Sequence, residues 1–290
     1  MIPTTFDYAR ATSIDDALEK LKAANGGGKF IAGGHSLVPL MKLRLSEPQL
    51  LIDISRIPDL AGISERDGKI VIGAGTVYHD IATSALLRER CPVVSDTAAT
   101  VGDPQVRNRG TIGGSVAHSD PSADFPAVML ALDAEFHLKG PNGWRAVTGA
   151  NFFQDLFTVN MAADEILANI QFVPVRAAAY AKLRQRASHY AIVGVAAALE
   201  VSGGGRSGGT IVSARIGLTG ATSHAVRLTE VEHALAGQPL TKKTIEAAVA
   251  HAAEGDLGEL NADIHASADY RRAMIPVFAR RALEGAMTRA

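Results

Sequence analysis

The chain has 290 residues, 29 Lys+Arg against 30 Asp+Glu, and 47% hydrophobic residues. That length suffices for two domains and a large core without disulfides. The near-zero net charge excludes a general nucleic-acid binder, and a single cysteine, Cys91, excludes a disulfide framework or a Cys-rich cluster site. The N-terminus lacks a basic n-region followed by an apolar h-region. The longest small-apolar stretch, Ala191 to Leu199, falls far short of the ~20 residues of a membrane helix. A soluble, cytoplasmic protein with no transmembrane segment is expected.

In chain order, Thr12-Ser13 precedes a helix with Ile14, Ala17, Leu18 and Leu21 on one face and Asp15 and Asp16 in its first turn. Gly26-Gly27-Gly28 stops it. Lys29 to Ala32 reads as a short buried strand, Leu37 to Leu45 as a helix and Leu50 to Ile54 as a strand, together a compact α/β unit. A second unit begins near Pro58, with a strand over Lys69 to Ile72 and a helix over Asp80 to Arg90 stopped by Pro92. A polar, Gly-containing segment, Val101 to Asp124, follows. Phe125 to Ala131 reads as helix, Ala134 to Leu138 as extended, Pro141-Asn142-Gly143 as a turn and Ile166 to Val173 as a strand closed by Pro174. The last third is two extended apolar runs, Tyr190 to Val201 and Thr210 to Leu218, joined by a glycine-rich loop over 203–209, then helices near 228–236, 241–254 and 266–286. Strands followed by helices indicate α+β, with a boundary near residue 176.

Glycine clusters carry most of the chemistry. Gly73-Ala74-Gly75-Thr76-Val77-Tyr78 suggests a dinucleotide fingerprint, but Tyr78 stands where the third glycine must allow close helix–strand packing, so a plain strand-to-helix turn is the better reading. Ala32-Gly33-Gly34-His35-Ser36 and Thr111-Ile112-Gly113-Gly114-Ser115 are stronger. Paired glycines can take φ > 0 and turn successive N–H groups toward an anion, and the first cluster also opens a helix. Two such loops from different units could each hold part of one pyrophosphate; the plain alternative is a pair of turns. His118, Asp120 and Asp124 read as a polar ligand-lining loop rather than a metal site. Cys91 reads as a packed thiol, and the basic stretch Lys182 to Tyr190 either as a solvated edge or as compensation for an anionic cofactor.

Ala32 to Leu37, the stretch Thr100 to Ser115 and Ala123-Asp124 resemble the FAD-binding medium subunits of molybdenum hydroxylases, the family of aerobic carbon monoxide dehydrogenase and xanthine dehydrogenase. The likeness spans essentially the whole chain. It implies an FAD-binding fold of the p-cresol methylhydroxylase type over residues 1–176, built from two α/β subdomains at about 1–57 and 58–176. It further implies a C-terminal domain over 177–290 with a three-stranded antiparallel sheet and helices. Carried over by position, Ala32, Gly33, Gly34, His35, Ser36 and Leu37, with Thr111, Ile112, Gly113, Gly114 and Ser115, wrap the pyrophosphate. Val101 and Gly102 lie against the cofactor, Asp124 bonds the flavin chain or ring edge, and Leu167 packs near the adenine or ring. Lys182 approaches the isoalloxazine and favours its reduced anion, and Tyr190 sits by the ring, where relatives carry a mobile aromatic. Ser115 replaces an Asn found in some relatives and can still donate to a phosphate.

The resemblance also implies partners. A large subunit holds molybdopterin, a small subunit holds two [2Fe–2S] clusters, and the whole assembles as a dimer of heterotrimers. No residue of this chain reads as a catalytic base or a metal ligand. Two other readings stay open at this level: a self-contained FAD oxidase or dehydrogenase on the same fold, and a flavin-free interaction module.

Overall fold

The computed structural model describes residues 2–203, 209–255 and 257–290. The first unit runs β1 (Asp7–Arg10), α1 (Ile14–Ala23), β2 (Gly28–Ile31), α2 (Leu37–Lys42) and β3 (Leu50–Asp53). Its strands form a parallel sheet in the order β1-β3-β2. Ser13 caps α1 by accepting from the Asp16 N–H at 3.1 Å, and Ile14 and Ala17 are buried toward Ile52. Helix α2 stops three residues short of Leu45, because Arg44 turns left-handed at φ +58°.

The second unit comprises β4 (Ile63–Arg66), β5 (Lys69–Gly73), α3 (Tyr78–Thr83), α4 (Ala85–Arg90), α5 (Pro92–Thr100), α6 (Pro104–Arg107), α7 (Ile112–His118), α8 (Asp124–Ala131), β6 (Glu135–Gly140), β7 (Gly143–Thr148), α9 (Gly149–Phe152), β8 (Phe153–Asp155), β9 (Thr158–Val159) and β10 (Ile166–Phe172). Five strands make an antiparallel sheet, β4-β5-β10-β6-β7. The single helix expected over Asp80 to Arg90 is two. Ser84 breaks it by adopting extended backbone and capping α4 through the Leu87 N–H. Pro92 opens α5 rather than ending helical structure, since a proline at the first helical position loses no bond. The polar segment Val101 to Asp124 holds two further helices, α6 and α7.

Strand β10 is the wall between the two units. Its Ile166 and Ala168 are buried in the core of the first, and Leu167, Ile170 and Phe172 in that of the second. This two-sided burial explains an apolar run with little alternation.

The C-terminal unit has β11 (Ala178–Arg184), β12 (Ala191–Ser202), β13 (Thr210–Thr219), β14 (Val226–Arg227), α10 (Thr229–Leu235), α11 (Lys242–Val249) and α12 (Ala268–Met287). The sheet order is β11-β12-β13-β14: three long strands, as the resemblance implies, and a two-residue fourth. Residues 204–208 of the expected glycine loop lie outside the described residues. The helices cover one face around Ile216, Leu218, Ile275 and Leu283.

The other face of that sheet meets α8, all eight of whose residues are buried; a helix apolar all round belongs between layers. Contact is closest at Gly217, where a Cβ would stand 2.8 Å from the Ala127 carbonyl carbon. Gly217→Ala is therefore expected to destabilise the chain by about 1–3 kcal/mol, the usual range for overpacking. A urea midpoint equal to that of the parent chain would refute this contact.

Candidate cofactor-binding site

The first glycine loop leaves the end of β2 and enters α2. Gly34 sits at φ +73°, where a side chain is strained. His35 Nδ1 lies 3.0 Å from the Gly33 carbonyl oxygen. Ser36 begins α2 without a side-chain capping bond, which leaves its hydroxyl available. The second loop is the first turn of α7: Thr111 caps it and accepts from the Gly114 N–H at 3.1 Å. The expectation of left-handed glycine pairs is thus corrected. Of Gly33, Gly34, Gly113 and Gly114, only Gly34 has positive φ. The cap at Thr111 winds the second pair into helix, so any anion there would meet helix N–H groups rather than a nest.

These loops, far apart in sequence, touch through their backbones. A Cβ on Gly33 would lie 2.9 Å from both the Arg109 carbonyl carbon and the Gly110 Cα. Helix α7 is seated on the strand-to-helix turn after β5. The Ile112 N–H donates to the Thr76 carbonyl oxygen at 3.1 Å and the Gly113 N–H to that of Ala74 at 2.8 Å, and a Cβ on Gly113 would stand 2.6 Å from the Ala74 oxygen. Tyr78, which ruled out the dinucleotide fingerprint, is buried and stacked on Phe125 with centroids 5.4 Å apart. Its N–H donates to the Gly110 carbonyl oxygen at 3.0 Å, and its phenol, raised by burial, is drawn back in part by the nearby Ser115 hydroxyl.

Gly114 differs from its neighbours. A Cβ there would meet only the Thr111 hydroxyl, at 2.8 Å, with nothing else within 4 Å. Packing within this chain explains Gly33 and Gly113, and backbone angle explains Gly34; neither explains Gly114. An open face at a helix's first turn, beside a second loop with a free serine hydroxyl, suits a diphosphate that must approach the backbone closely.

Next to these loops lies a buried ionic cluster. Asp124 opens α8 and is 6% exposed. The Lys182 ammonium donates to it at 2.8 Å and the Tyr180 hydroxyl at 2.6 Å. Burial pushes the Asp124 carboxyl above its ordinary range against the pull of Lys182 and Tyr180. Burial also raises the Tyr190 phenol, with Asp120 and Asp124 adding to the shift, and lowers the His118 imidazole, which packs at a tilt against Phe157 with ring centroids 5.0 Å apart. Lys182 also donates to the Thr100 and His189 carbonyl oxygens, at 3.2 and 2.8 Å. Val101 ends α5 there, and Gly102, at φ +48°, accepts from Arg107 and lies 2.9 Å from His189 Nδ1.

The two glycine loops therefore adjoin one another; Ala32 and Leu37 are half-buried beside the first, while the Ile112 side chain is buried in the core of the second unit. Ser115 leads through Tyr78 toward Asp124, Lys182 and Tyr190, with Val101 and Gly102 joined on through Thr100 and His189. Leu167 stands apart: it is 5% exposed and its side chain belongs to the core, on the strand against which α7 packs. Only its backbone, next to a bulge in the β10–β6 register, is left to face a ligand.

Sequence reasoning missed Tyr180, and that the loops meet at the Arg109-Gly110 backbone. Tyr180 could have been found, since strand alternation puts it on the face of Lys182. The backbone contact carries no local signal.

The comparisons with known proteins identify the family. Residues 4–175 match the family described as FAD binding domain in molybdopterin dehydrogenase, and residues 178–286 match the CO dehydrogenase flavoprotein C-terminal domain. The carbon monoxide dehydrogenase medium chain of Hydrogenophaga pseudoflava is 39% identical, covering 100% of this chain and 99% of that protein. The 6-hydroxypseudooxynicotine dehydrogenase complex subunit alpha of Paenarthrobacter nicotinovorans is 38% identical over 100% of this chain and 97% of its own length. Among solved structures, carbon monoxide dehydrogenase from Hydrogenophaga pseudoflava superposes with a TM-score of 0.93 at 39% identity, covering 100% of both chains. Quinoline 2-oxidoreductase from Pseudomonas putida 86 gives 0.90 at 29% identity, covering 99% of this chain and 100% of that one. The chain belongs to the FAD-binding subunits of molybdopterin dehydrogenases, flavoproteins of oxidoreductase complexes, with a C-terminal domain of the CO dehydrogenase flavoprotein type.

Proposed function

We propose that this chain is the electron-transfer subunit of a molybdenum hydroxylase complex, holding FAD in a domain of residues 1–176 (subdomains about 1–57 and 58–176) closed by a C-terminal domain of 177–290. The observation that carries the reading is the backbone contact of Gly33 with Arg109-Gly110, which brings two glycine loops together beside the open face of Gly114. Ala32 to Leu37 and Thr111 to Ser115 hold the diphosphate. Val101 and Gly102 line the cofactor, Leu167 meets it through backbone, and Asp124, Lys182 and Tyr190 stand at the isoalloxazine end. FAD supplies the redox chemistry; the protein binds, orients and shields it.

Electrons enter from two [2Fe–2S] clusters on a small partner subunit and leave to an external acceptor, while a large partner subunit oxidises the substrate at molybdopterin. Cys91 is the one cysteine of the chain, buried, with its thiol pushed up to about 11 by that burial. A cluster needing four thiolates must therefore sit elsewhere. The complex is a dimer of heterotrimers in the cytoplasm; among the described residues, no helix is long and apolar enough to cross a membrane.

The test is titration of the purified chain with FAD. Binding of one FAD per chain, released on denaturation, is expected, with no turnover of carbon monoxide, aldehydes, purines or N-heterocycles by the chain alone. Co-purification from the host should bring molybdenum and iron on partner subunits. A chain that takes up no FAD would overturn the proposal, and substrate turnover by the chain alone would establish a self-contained enzyme instead.

A further inference from the structure

Tyr190 is 46% exposed, yet several backbone groups of the turn that presents it are held by hydrogen bonds. Within the turn, Gln185 Oε1 accepts from the Ala187 and Ser188 N–H groups at 2.6 and 2.5 Å. The His189 N–H donates to the Gln185 carbonyl oxygen at 3.0 Å, and the Gln185 N–H to that of Tyr190 at 2.8 Å. Those bonds shape the turn without fixing where it stands.

Two buried cations do that. On one side, the Lys182 side chain, 7% exposed, donates to the carbonyl oxygen of His189, the residue before Tyr190. On the other, Arg271, 1% exposed, reaches from α12 and donates through Nη1 to the carbonyl oxygens of Ile192 and Gly220, at 2.5 and 2.9 Å. Each cation has its own carboxylate: Asp124 at 2.8 Å for Lys182 and Asp263 at 2.6 Å for Arg271. Two bonds then tie the turn to the other domain. The Ala191 N–H donates to the Ser122 carbonyl oxygen at 3.1 Å, and His189 Nδ1 lies 2.9 Å from that of Gly102.

An ammonium has three N–H donors. Asp124, Thr100 and His189 take all three of Lys182's, so it has no N–H left to donate to a cofactor. Burying a cation is costly unless it is paired, and here two such groups converge on the carbonyls around one exposed aromatic. Packing alone would not confine that ring, because a cavity of about 150 Å³ lined by Asp120, Ser122, Gln185, Tyr190 and Arg271 adjoins it.

We propose that Lys182 and Arg271 are positioning residues that pin the 185–192 turn to both domains, so that Tyr190 is presented from a fixed backbone and moves only about its own side-chain torsions. The turn is not a flap that swings over the site. This rests on the placement of Tyr190 at the isoalloxazine end, and the experiment separates the two.

Amide hydrogen exchange by mass spectrometry reads the pin in the full chain without added flavin. Lys182→Met/Asp124→Asn and Arg271→Met/Asp263→Asn each remove a cation with its carboxylate, leaving no orphaned buried charge. Exchange over residues 187–190 is expected to rise at least 10-fold in each, while β13 keeps parental protection and Tyr190→Phe changes nothing. Lys182→Arg and Arg271→Lys, which keep the charge and lose the geometry, should give a smaller rise, and they read the pin if a double variant does not fold. Parental exchange in the turn of every folded variant overturns the proposal, as does a uniform rise across β11 to β13, which would be general loosening. The fluorescence lifetime of bound FAD, quenched by a nearby tyrosine, is the second reading. Tyr190→Phe should lengthen it and the pin variants should broaden its distribution. Faster exchange with unchanged lifetimes throughout, Tyr190→Phe included, supports the pin and removes Tyr190 from the flavin.

Discussion

Gly114→Val is expected to yield a folded chain that no longer retains FAD. A Cβ at this position meets only the Thr111 hydroxyl, a side-chain end able to turn away. The expected stability loss is that of one N-cap bond, about 1 kcal/mol. The same methyl groups would occupy the open face where a diphosphate must reach the first turn of α7, so affinity for FAD should fall roughly 100-fold or more, about 2.7 kcal/mol. Gly33→Val and Gly113→Val are the contrast. Both press a side chain into backbone, of Arg109-Gly110 and of Ala74 respectively, and should lower the unfolding midpoint as well as FAD content. Calorimetric titration with FAD beside urea unfolding separates the cases. Parental FAD affinity in Gly114→Val would remove this turn from the cofactor site.

Breaking the Asp124–Lys182 pair should cost the most stability of any single charge removal at the domain junction. Asp124→Ala leaves the Lys182 ammonium buried with only two carbonyl oxygens, and loss of one partner of a buried pair typically costs about 3–5 kcal/mol. Asp124→Asn/Lys182→Met removes both charges and should recover a large part of that. Chemical denaturation of the two single variants and the double closes the cycle; a single variant as stable as the parent would show that the pair holds nothing.

Stability against pH gives an independent sign. The folded Asp124 carboxyl is raised above its ordinary 3.8 by burial, so the folded state holds this proton after the unfolded state has released it. The group's stabilisation is full below 3.8 and is lost as pH rises through the folded pKa. Compared with Asp124→Asn, the parent chain should therefore lose stability as pH climbs from acid across that window. An opposite slope would mean that Lys182 and Tyr180 outweigh burial.

Much of the local structure was legible from residue pattern. Helix α1 showed its 3.6-residue period, its Ser13 cap and its glycine stop, and the long hairpin showed two β-rich runs around a glycine tract. Short elements were not. Helices α6 and α7 are four and seven residues long, too short for a period to stand out from a polar loop. Strand β4, Ile63-Ser64-Glu65-Arg66, has no fully buried residue to mark it. The break at Ser84 is a choice of capping over continued helix, which a serine leaves open until its neighbours pack.

The sequence by itself determined the residue chemistry of the site: two glycine clusters, a serine in each, Asp124, Lys182 and Tyr190, and a lone cysteine that cannot ligate a cluster. Tertiary structure alone decided how they are used. It put Gly33 on the backbone of Arg109-Gly110, wound Gly114 into a helix, turned Leu167 inward, and brought Arg271 from the last helix to the Ile192 carbonyl, two residues beyond Tyr190. Composition and period report which groups a segment carries and which face it buries. Which carbonyl a buried cation meets, and whether a glycine's open side faces protein or a cofactor, depends on contacts between segments distant in the chain, which no local pattern encodes.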